Sequence, residues 1–313
     1  MLYVIDLFCG AGGFSEGARR AGATVILAVD CWQMALDVHA LNHPDVEHWL
    51  EELGEDPREF ADRLRRVIAD KAPPGGRVHL HASPPCQNLC GANRRRSEDE
   101  GMRLVEWSFR VAEALGSVTV TVEQVASPVL LRAYSHLPHR VYDMSEHGVP
   151  QIRTRVIFGD APELPILDEI PLREVLSRCG CAVTTGDMQT NGTVRKGRKG
   201  KGTARKPTRP PVYQRASLDA VSRTVTSCYP SLLRSERLVT LPNRVVCELQ
   251  TFDAAYFPLA TLKKGVARRM IANSVPPVLA ASLIRHIEEA GMQRGAPVDL
   301  DEDAPAARVP AVR

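Results

Sequence analysis

The chain has 313 residues, 44% hydrophobic and 25% charged, with 40 basic against 37 acidic side chains and a formal net charge of +3. That length suits one large domain or two unequal ones, and a charge so near balance singles out no partner by itself. No apolar run approaches the ~20 residues that a membrane span needs, and no internal repeat is present. The eight cysteines, at 9, 31, 86, 90, 179, 181, 228 and 247, form no CxxC pair, which is poor support for zinc. The sequence starts without a signal peptide, so free thiols point to a reducing, cytoplasmic setting.

Leu2–Phe8 reads as a buried strand. Cys9-Gly10-Ala11-Gly12-Gly13 follows, then a helix from about Phe14 to Ala21, closed by Gly22. Strand, glycine-rich turn and helix make a nucleotide-type pocket, because glycine lets backbone approach a ligand closely. The turn is not GxGxxG and lacks a P-loop lysine, so a pyrophosphate is not implied. The next strand runs from Thr24 to Val29 and ends at Asp30, which stands 20 residues after Gly10. An acidic residue there suits ribose hydroxyls; a surface Asp after a tight turn reads equally well. His39 to Ala72 reads as a surface helix with Leu50, Leu53, Phe60, Leu64 and Val67 as its apolar face.

Val78–Ala82 is strand-like and feeds Ser83-Pro84-Pro85-Cys86-Gln87. Two prolines forbid helix and restrict the residue before each, so a stiff turn presents Cys86 past a strand end, where open α/β sheets keep their ligands. Alone, such a cysteine is usually a small buried hydrophobe. Asn93-Arg94-Arg95-Arg96 and Ser97–Gly101 form a polar loop, either a lid or a solvated surface. Met102–Leu115 is an amphipathic helix, Val118–Val122 a strand ending at Glu123, and Gln151-Ile152-Arg153-Thr154-Arg155 leads into the strand Val156–Phe158. The βαβαβαβ order predicts a doubly wound, mostly parallel sheet. Asp30, Cys86, Glu123 and the Arg153/Arg155 pair, which shares one face of an extended segment, then converge on one sheet edge.

These stretches together resemble the cytosine-C5 DNA methyltransferases. Asp6–Ser15 is similar to the family's cofactor motif, Pro85-Cys86-Gln87 to its nucleophile motif, Glu123-Gln124-Val125 to Glu-Asn-Val, and Gln151–Arg155 to Gln-x-Arg-x-Arg. Arg223–Thr226, Leu241-Pro242 with Glu248–Phe252, and Ala272-Asn273-Ser274-Val275-Pro276-Pro277 resemble the blocks that follow, in the family's order. The resemblance implies a Rossmann-like S-adenosylmethionine-binding domain over 1–159, a small target-recognition domain over 160–265 and a helix over 266–292 returning to the first domain; the Ala/Pro-rich end reads as a disordered tail over 293–313. It implies Cys86 as the thiolate that adds to C6 of cytosine. Glu123 bonds N3 and the exocyclic amine, Arg155 and less directly Arg153 face O2, and Gln87 sits beside the nucleophile. It implies a cofactor site from Phe8, Gly10, Gly12, Gly13, Asp30, Trp32, Pro85, Asn273 and Val275. Three departures stand out: Gln124 for the usual Asn, Ala272 for a usual Gly, and an adenine-binding Asp whose place Glu51, Glu52 or Asp56 could take.

A base inside a duplex cannot reach such a pocket and must be flipped out. The expected partner is therefore double-stranded DNA, met by a monomer with no membrane involvement. Arg94, Arg95 and Arg96 lie on the loop beside the nucleophile. A second basic run, Arg195, Lys196, Arg198, Lys199, Lys201, Arg205, Lys206 and Arg209, has no acid and interleaves Gly and Pro, so it buries no core. It suits phosphate contact, which positions without reading sequence. Few residues remain for base reading; Gln189, Asn191 and Arg215 are the candidates, and a site of about two to four base pairs is expected. The same chemistry on tRNA, or a catalytically silent DNA-binding homologue, remain as alternatives.

Overall fold

The computed structural model describes residues 1–86, 89, 98–116, 118–182, 188–191, 214–226, 231–234 and 237–294. Seven strands form the main sheet: β1 (Leu2–Leu7), β2 (Thr24–Asp30), β3 (Glu47–Leu50), β4 (Arg77–Ala82), β5 (Thr119–Val125), β6 (His139–Asp143) and β7 (Thr154–Gly159). Their order is β3-β2-β1-β4-β5-β7-β6. The first five are parallel, and β7 runs antiparallel between β5 and β6. The doubly wound α/β reading therefore holds.

The helices that fill its two faces are α1 (Gly13–Arg20), α2 (Gln33–Asn42), α3 (Pro57–Lys71), α4 (Glu98–Leu115) and α5 (Pro128–Ala133). Further along the chain come α6 (Leu172–Arg178), α7 (Asn243–Leu249), α8 (Lys264–Asn273) and α9 (Pro277–Arg294). One face of the sheet packs Leu7, Leu27, Leu80, Val122 and Phe158 against Phe60 and Leu64 of α3 and Val105 and Val111 of α4. The other packs Leu2, Val4 and Ile157 against Phe14 of α1 and Leu279, Leu283 and Ile284 of α9. A Cβ on Gly17 would stand 2.4 Å from Ala280 Cβ, so glycine there is what brings α1 and α9 together.

Four expectations need correction. Residues 98–101, expected as loop, form the first turn of α4. His39–Ala72 is not one helix: α2 ends at Asn42, Glu47–Leu50 pairs with β2 as an edge strand, and α3 begins at Pro57. Pro44 cannot continue the ladder of α2, Gly54 takes φ +127, and Asp56 accepts from the N–H groups of Arg58 and Glu59, with Pro57 in the first turn. Leu50 is consequently exposed rather than on an apolar helix face. The helix expected over 266–292 is broken into α8 and α9, because Pro276 and Pro277 forbid its passage. The strand β6 was not foreseen; its Val141 is exposed on the sheet edge.

Four short strands, β8 (Met188–Asn191), β9 (Gln214–Ala216), β10 (Ser231–Arg234) and β11 (Arg237–Thr240), make a second, antiparallel sheet in the order β11-β10-β8-β9. The surrounding segment shares an apolar cluster with the first sheet's layer: Leu172, Val175, Leu218, Val245 and Phe252 pack with Ala35 and Val38 of α2. No helix among the described residues is long and apolar enough to cross a membrane.

Beneath the glycine turn lies a buried polar chain. Ser15 donates through Oγ and N to Asp6 Oδ2 at 2.7 and 3.2 Å, His39 Nε2 stands 3.0 Å from Ser15 Oγ, and His48 Nε2 2.8 Å from His39 Nδ1. Burial pushes Asp6 up to about 7, against the opposing Ser15 hydrogen bonds. A carboxyl raised in the folded state keeps its proton longer than the unfolded chain does, so stability falls as pH rises from about 4 to about 7, by at most about 1.4 kcal/mol per pH unit. Asn can accept from Ser15 as Asp6 does but has no proton to lose. Asp6→Asn should therefore gain in Tm over the wild type at pH 8 relative to pH 4.5, measured by thermal denaturation. An equal difference at both pH values would contradict this.

Candidate active site

The carboxyl ends of β2, β1, β4 and β5 and the start of β7 meet at one sheet edge, and the sequence places its polar residues there. After β1 the backbone turns sharply. Phe8 takes φ +58 and Gly10 φ +54, a conformation that costs most side chains about 1–2 kcal/mol. A Cβ on Gly10 would meet nothing within 4 Å, so this turn opens onto free space. Gly12 and Gly13 are glycines for a different reason: a Cβ on Gly12 would lie 2.6 Å from Tyr256 Oη, and one on Gly13 would lie 2.1 Å from the Val275 carbonyl oxygen. The chain's own C-terminal part fills that room. Tyr256 donates to the Ala11 carbonyl at 2.8 Å and lies 3.1 Å from His43 Nε2.

Asp30 ends β2 and holds two backbones. Its Oδ2 accepts from Gly10 N at 2.8 Å and its Oδ1 from Trp32 N at 2.8 Å. Burial pushes its carboxyl up, opposed by these N–H groups. Trp32 is half-buried, with the Arg269 guanidinium 4.7 Å from its ring centroid. Phe8 meets Trp107 edge-on, their centroids 6.0 Å apart. Of the three acids considered for the adenine, Glu51 is held by both guanidinium nitrogens of Arg63 at 2.6 and 2.7 Å, and Asp56 caps α3. Glu52 is exposed and lies within electrostatic reach of Cys31 beside Trp32. Asn273 is exposed, while Val275 and Ala272 are buried.

The Cys86 turn is clamped at its base. Ser83 N donates to Leu7 O at 3.2 Å and Ser83 Oγ to Phe8 O at 3.3 Å, so the turn is stitched to the glycine loop. From the opposite face of β5, the buried Gln124 Nε2 donates to Pro84 O at 3.0 Å, and its own Oε1 accepts from Val125 N at 2.8 Å. The longer side chain thus spans to the proline turn and stays satisfied at both ends. Pro84 is buried, Pro85 exposed and Cys86 half-buried.

Glu123 and Arg155 share one face of the β5–β7 pair, since Glu123 pairs with Ile157 and Val125 with Arg155. Arg155 Nε stands 3.0 Å from Glu123 Oε1 as an ion pair, both side chains nearly buried. Arg153 is 4% exposed. Its Nη2 donates to Ser274 O at 3.5 Å, and its Nε has no hydrogen-bond partner among the described residues. Burial, then the Arg155 cation, push Arg153 down to about 9, while Glu123 and Cys86 pull the other way. A guanidinium stays charged at neutral pH even so, which sets a fixed cation within electrostatic reach of Cys86 and Glu123. Gln151, the first residue of that motif, is structural: its Nε2 donates to Leu249 O at 2.7 Å and its Oε1 accepts from Val225 N at 2.8 Å.

Cys86, Glu123, Arg153 and Arg155 are thus brought together, and Phe8, Gly10, Asp30 and Trp32 line the adjoining turn. Gln87, Arg94, Arg95, Arg96, Arg195, Lys196, Arg198 and Lys199 lie outside the described residues, as does the expected tail from residue 295 onward, while the first two residues of that tail, Gln293 and Arg294, belong to α9. Gln189, Asn191 and Arg215 fall on β8 and β9, with their side chains outside the description. The contributions of Gln124, Ser83, Tyr256 and Gln151 were not foreseen as contacts. An amide or hydroxyl beside a motif residue was the one signal available for them.

The description C-5 cytosine-specific DNA methylase matches residues 2–114. The Type II methyltransferase M.HgiGI of Herpetosiphon aurantiacus is 36% identical over 100 residues, covering 31% of this chain and 68% of that protein. The Type II methyltransferase M.AgeI of Thalassovita gelatinovora is 31% identical over 173 residues, 50% of this chain and 39% of that one. The chain spans 39% to 49% of the length of the first curated relatives it matches. A solved structure described as a prophage-encoded DNA modification methyltransferase from E. coli superposes with a TM-score of 0.66 at 21% identity, covering 92% of this chain and 99% of that one. The fold is common to both. With the strand-end constellation, the ordered motifs and these similarities in agreement, the chain belongs to the C-5 cytosine-specific DNA methylase family.

Proposed function

We propose that the protein transfers a methyl group from S-adenosylmethionine to C5 of a cytosine flipped out of double-stranded DNA, acting as a monomer on intracellular DNA. The observation that carries this is the meeting of Cys86, Glu123 and the Arg153/Arg155 pair at one sheet edge. C5 of cytosine is a weak nucleophile. Cys86 adds as thiolate to C6, favoured by the cation at Arg153, and C5 becomes enamine-like. Glu123 hydrogen-bonds N3 and the exocyclic amine and holds N3 protonated, so the electron pair that the thiolate brings is accommodated in the ring. Arg155 leaves its ion pair in part to face O2. Once C5 carries the methyl group, loss of the C5 proton and elimination of Cys86 restore the aromatic ring.

The turn fits the cofactor. Gly10 fronts open space, Asp30 stands where a ribose hydroxyl would be met, and Trp32, Phe8 and Glu52 offer the adenine two ring faces and an acceptor. S-adenosylmethionine supplies an electrophilic methyl group when bound. Gly12, Gly13 and Val275 support this site from behind by packing the turn; Pro85 and Asn273, both exposed, reach its rim. The segment 160–265 serves as the target-recognition unit, with the second sheet at its centre. The basic run from Arg195 to Arg209 and Arg94, Arg95 and Arg96 meet phosphates.

Cys86→Ala should abolish methyl incorporation into DNA while leaving Tm close to wild type, because the thiol is half-buried on a turn. DNA carrying 5-fluorocytosine should trap the wild-type protein as a covalent adduct on denaturing gels. Turnover in the variant, or no adduct under active conditions, would refute covalent catalysis, and incorporation into tRNA in place of DNA would move the substrate class.

Gly10→Val should raise the Kd for S-adenosylmethionine, by calorimetry, more than it lowers Tm. Undiminished binding would take the cofactor away from this turn. Neutralising several charges between Arg195 and Arg209 should weaken binding to every DNA sequence alike. The log–log salt slope should flatten by roughly 0.9 per lost phosphate contact. An unchanged slope would show the run to be solvated only. Bisulfite sequencing of treated random DNA should show a site of about two to four base pairs. A strict consensus of six or more would show instead that this region holds a full recognition element.

A further inference from the structure

Away from the strand-end site, three cysteines gather where α6 meets α7. Cys179 caps α6, Gly180 takes φ +64, and Cys181 N donates back to Leu176 O at 2.8 Å, which folds the Cys-Gly-Cys stretch tightly over the end of the helix. The Cys181 thiol lies against this turn, 3.9 Å from the Cys179 carbonyl oxygen. Both cysteines are half-buried, and both pack on the apolar cluster that holds α7. From the exposed side of α7, Arg244 Nη2 approaches Cys181 Sγ to 3.6 Å. Below them on the same helix, Cys247 is fully buried. None of the three is in a disulfide.

We propose that Cys179-Gly180-Cys181 is a dithiol modification site that reacts with small-molecule disulfides and closes to a Cys179–Cys181 disulfide. Sulfur that bears negative charge during exchange is favoured beside a cation and must be reachable. Cys181 has both features. Burial pushes the Cys179 thiol up, with Glu248 acting in the same direction, so it suits the second, resolving step. Burial pushes Cys247 up to about 12, which leaves it a spectator.

In the first step the Cys181 thiolate attacks one sulfur of the small disulfide. A Cys181 mixed disulfide forms, and one small thiolate leaves and takes up the proton that Cys181 gave. In the second, Cys179 loses its proton and attacks the Cys181 sulfur, the Cys179–Cys181 bond forms, and the second small thiol leaves. Two protein thiols are oxidised and one small disulfide is reduced to two thiols. The left-handed Gly180 tightens the backbone between the two cysteines, a conformation open to glycine at little penalty, and keeps the two thiols within electrostatic reach of each other.

The test uses the full-length chain carrying Cys86→Ser, so that the proposed nucleophile does not react. It is incubated folded with oxidised glutathione, quenched and digested with trypsin. Cys179 and Cys181 fall in one peptide, residues 179–195, separate from every other cysteine. The expected result is that this peptide loses two hydrogens and carries no glutathione, while Cys247 stays a thiol. With Cys179→Ser, the reaction should stop at a glutathione adduct on Cys181, and Arg244→Gln should slow the first step several-fold. The proposal is overturned if the peptide keeps both thiols, if it holds only glutathione adducts, or if Cys179 pairs with Cys247. The readout is a mass and does not depend on methyl transfer.

Discussion

A buried guanidinium needs anions and acceptors around it, and Arg153 imposes that need on three separate parts of the chain. It sits at the start of β7, 4% exposed, and donates to the Ser274 carbonyl between α8 and α9. Glu123 from β5 and Cys86 from the turn after β4 are the groups whose charge favours its own. An unpaired buried charge is expensive, so the native fold is bound to bring these segments together. In doing so it assembles a thiol, a carboxylate and two guanidinium groups at one edge.

The glycine turn is completed in the same way, by distant chain. Val275 abuts Gly13, and Tyr256 abuts Gly12 and bonds the Ala11 carbonyl. The returning helices are therefore a structural part of the first strand-turn-helix unit. Gln124 links the two halves of the edge. It leaves β5 on the face opposite Glu123 and fixes the Pro84 carbonyl, so one strand carries the carboxylate on one side and braces the Cys86 turn from the other. A side chain one methylene longer than the family's usual Asn places its amide nitrogen on the Pro84 carbonyl and its oxygen on Val125 N.

The sequence carried the site further than it carried the fold. Strand ends, proline turns and the alternation of Arg153 and Arg155 each follow from local chain geometry, so the sheet edge could be read directly. The break at Pro276–Pro277 and the edge strand Glu47–Leu50 were less legible. The second depends on pairing with β2, a contact between segments with no local alternation to announce it. Val141 on β6 gave no warning for the same reason. The distinction between Gly10, which faces open space, and Gly12 and Gly13, which face Tyr256 and Val275, is invisible in sequence because all three carry the same absence of a side chain. Gln151, ahead of β7, ties Leu249 of α7 to the segment at Val225, a contact its motif does not announce.

The proposed chemistry needs Arg153 as a fixed cation within electrostatic reach of Cys86. Its most direct test is the pH dependence of Cys86 alkylation by iodoacetamide, followed by site-resolved mass spectrometry in the wild type and in Arg153→Gln, both verified as folded by circular dichroism. The account predicts that Cys86 becomes reactive at lower pH in the wild type than in the variant, with Cys31 unchanged between them as the internal reference. Identical Cys86 profiles in the two proteins would contradict it.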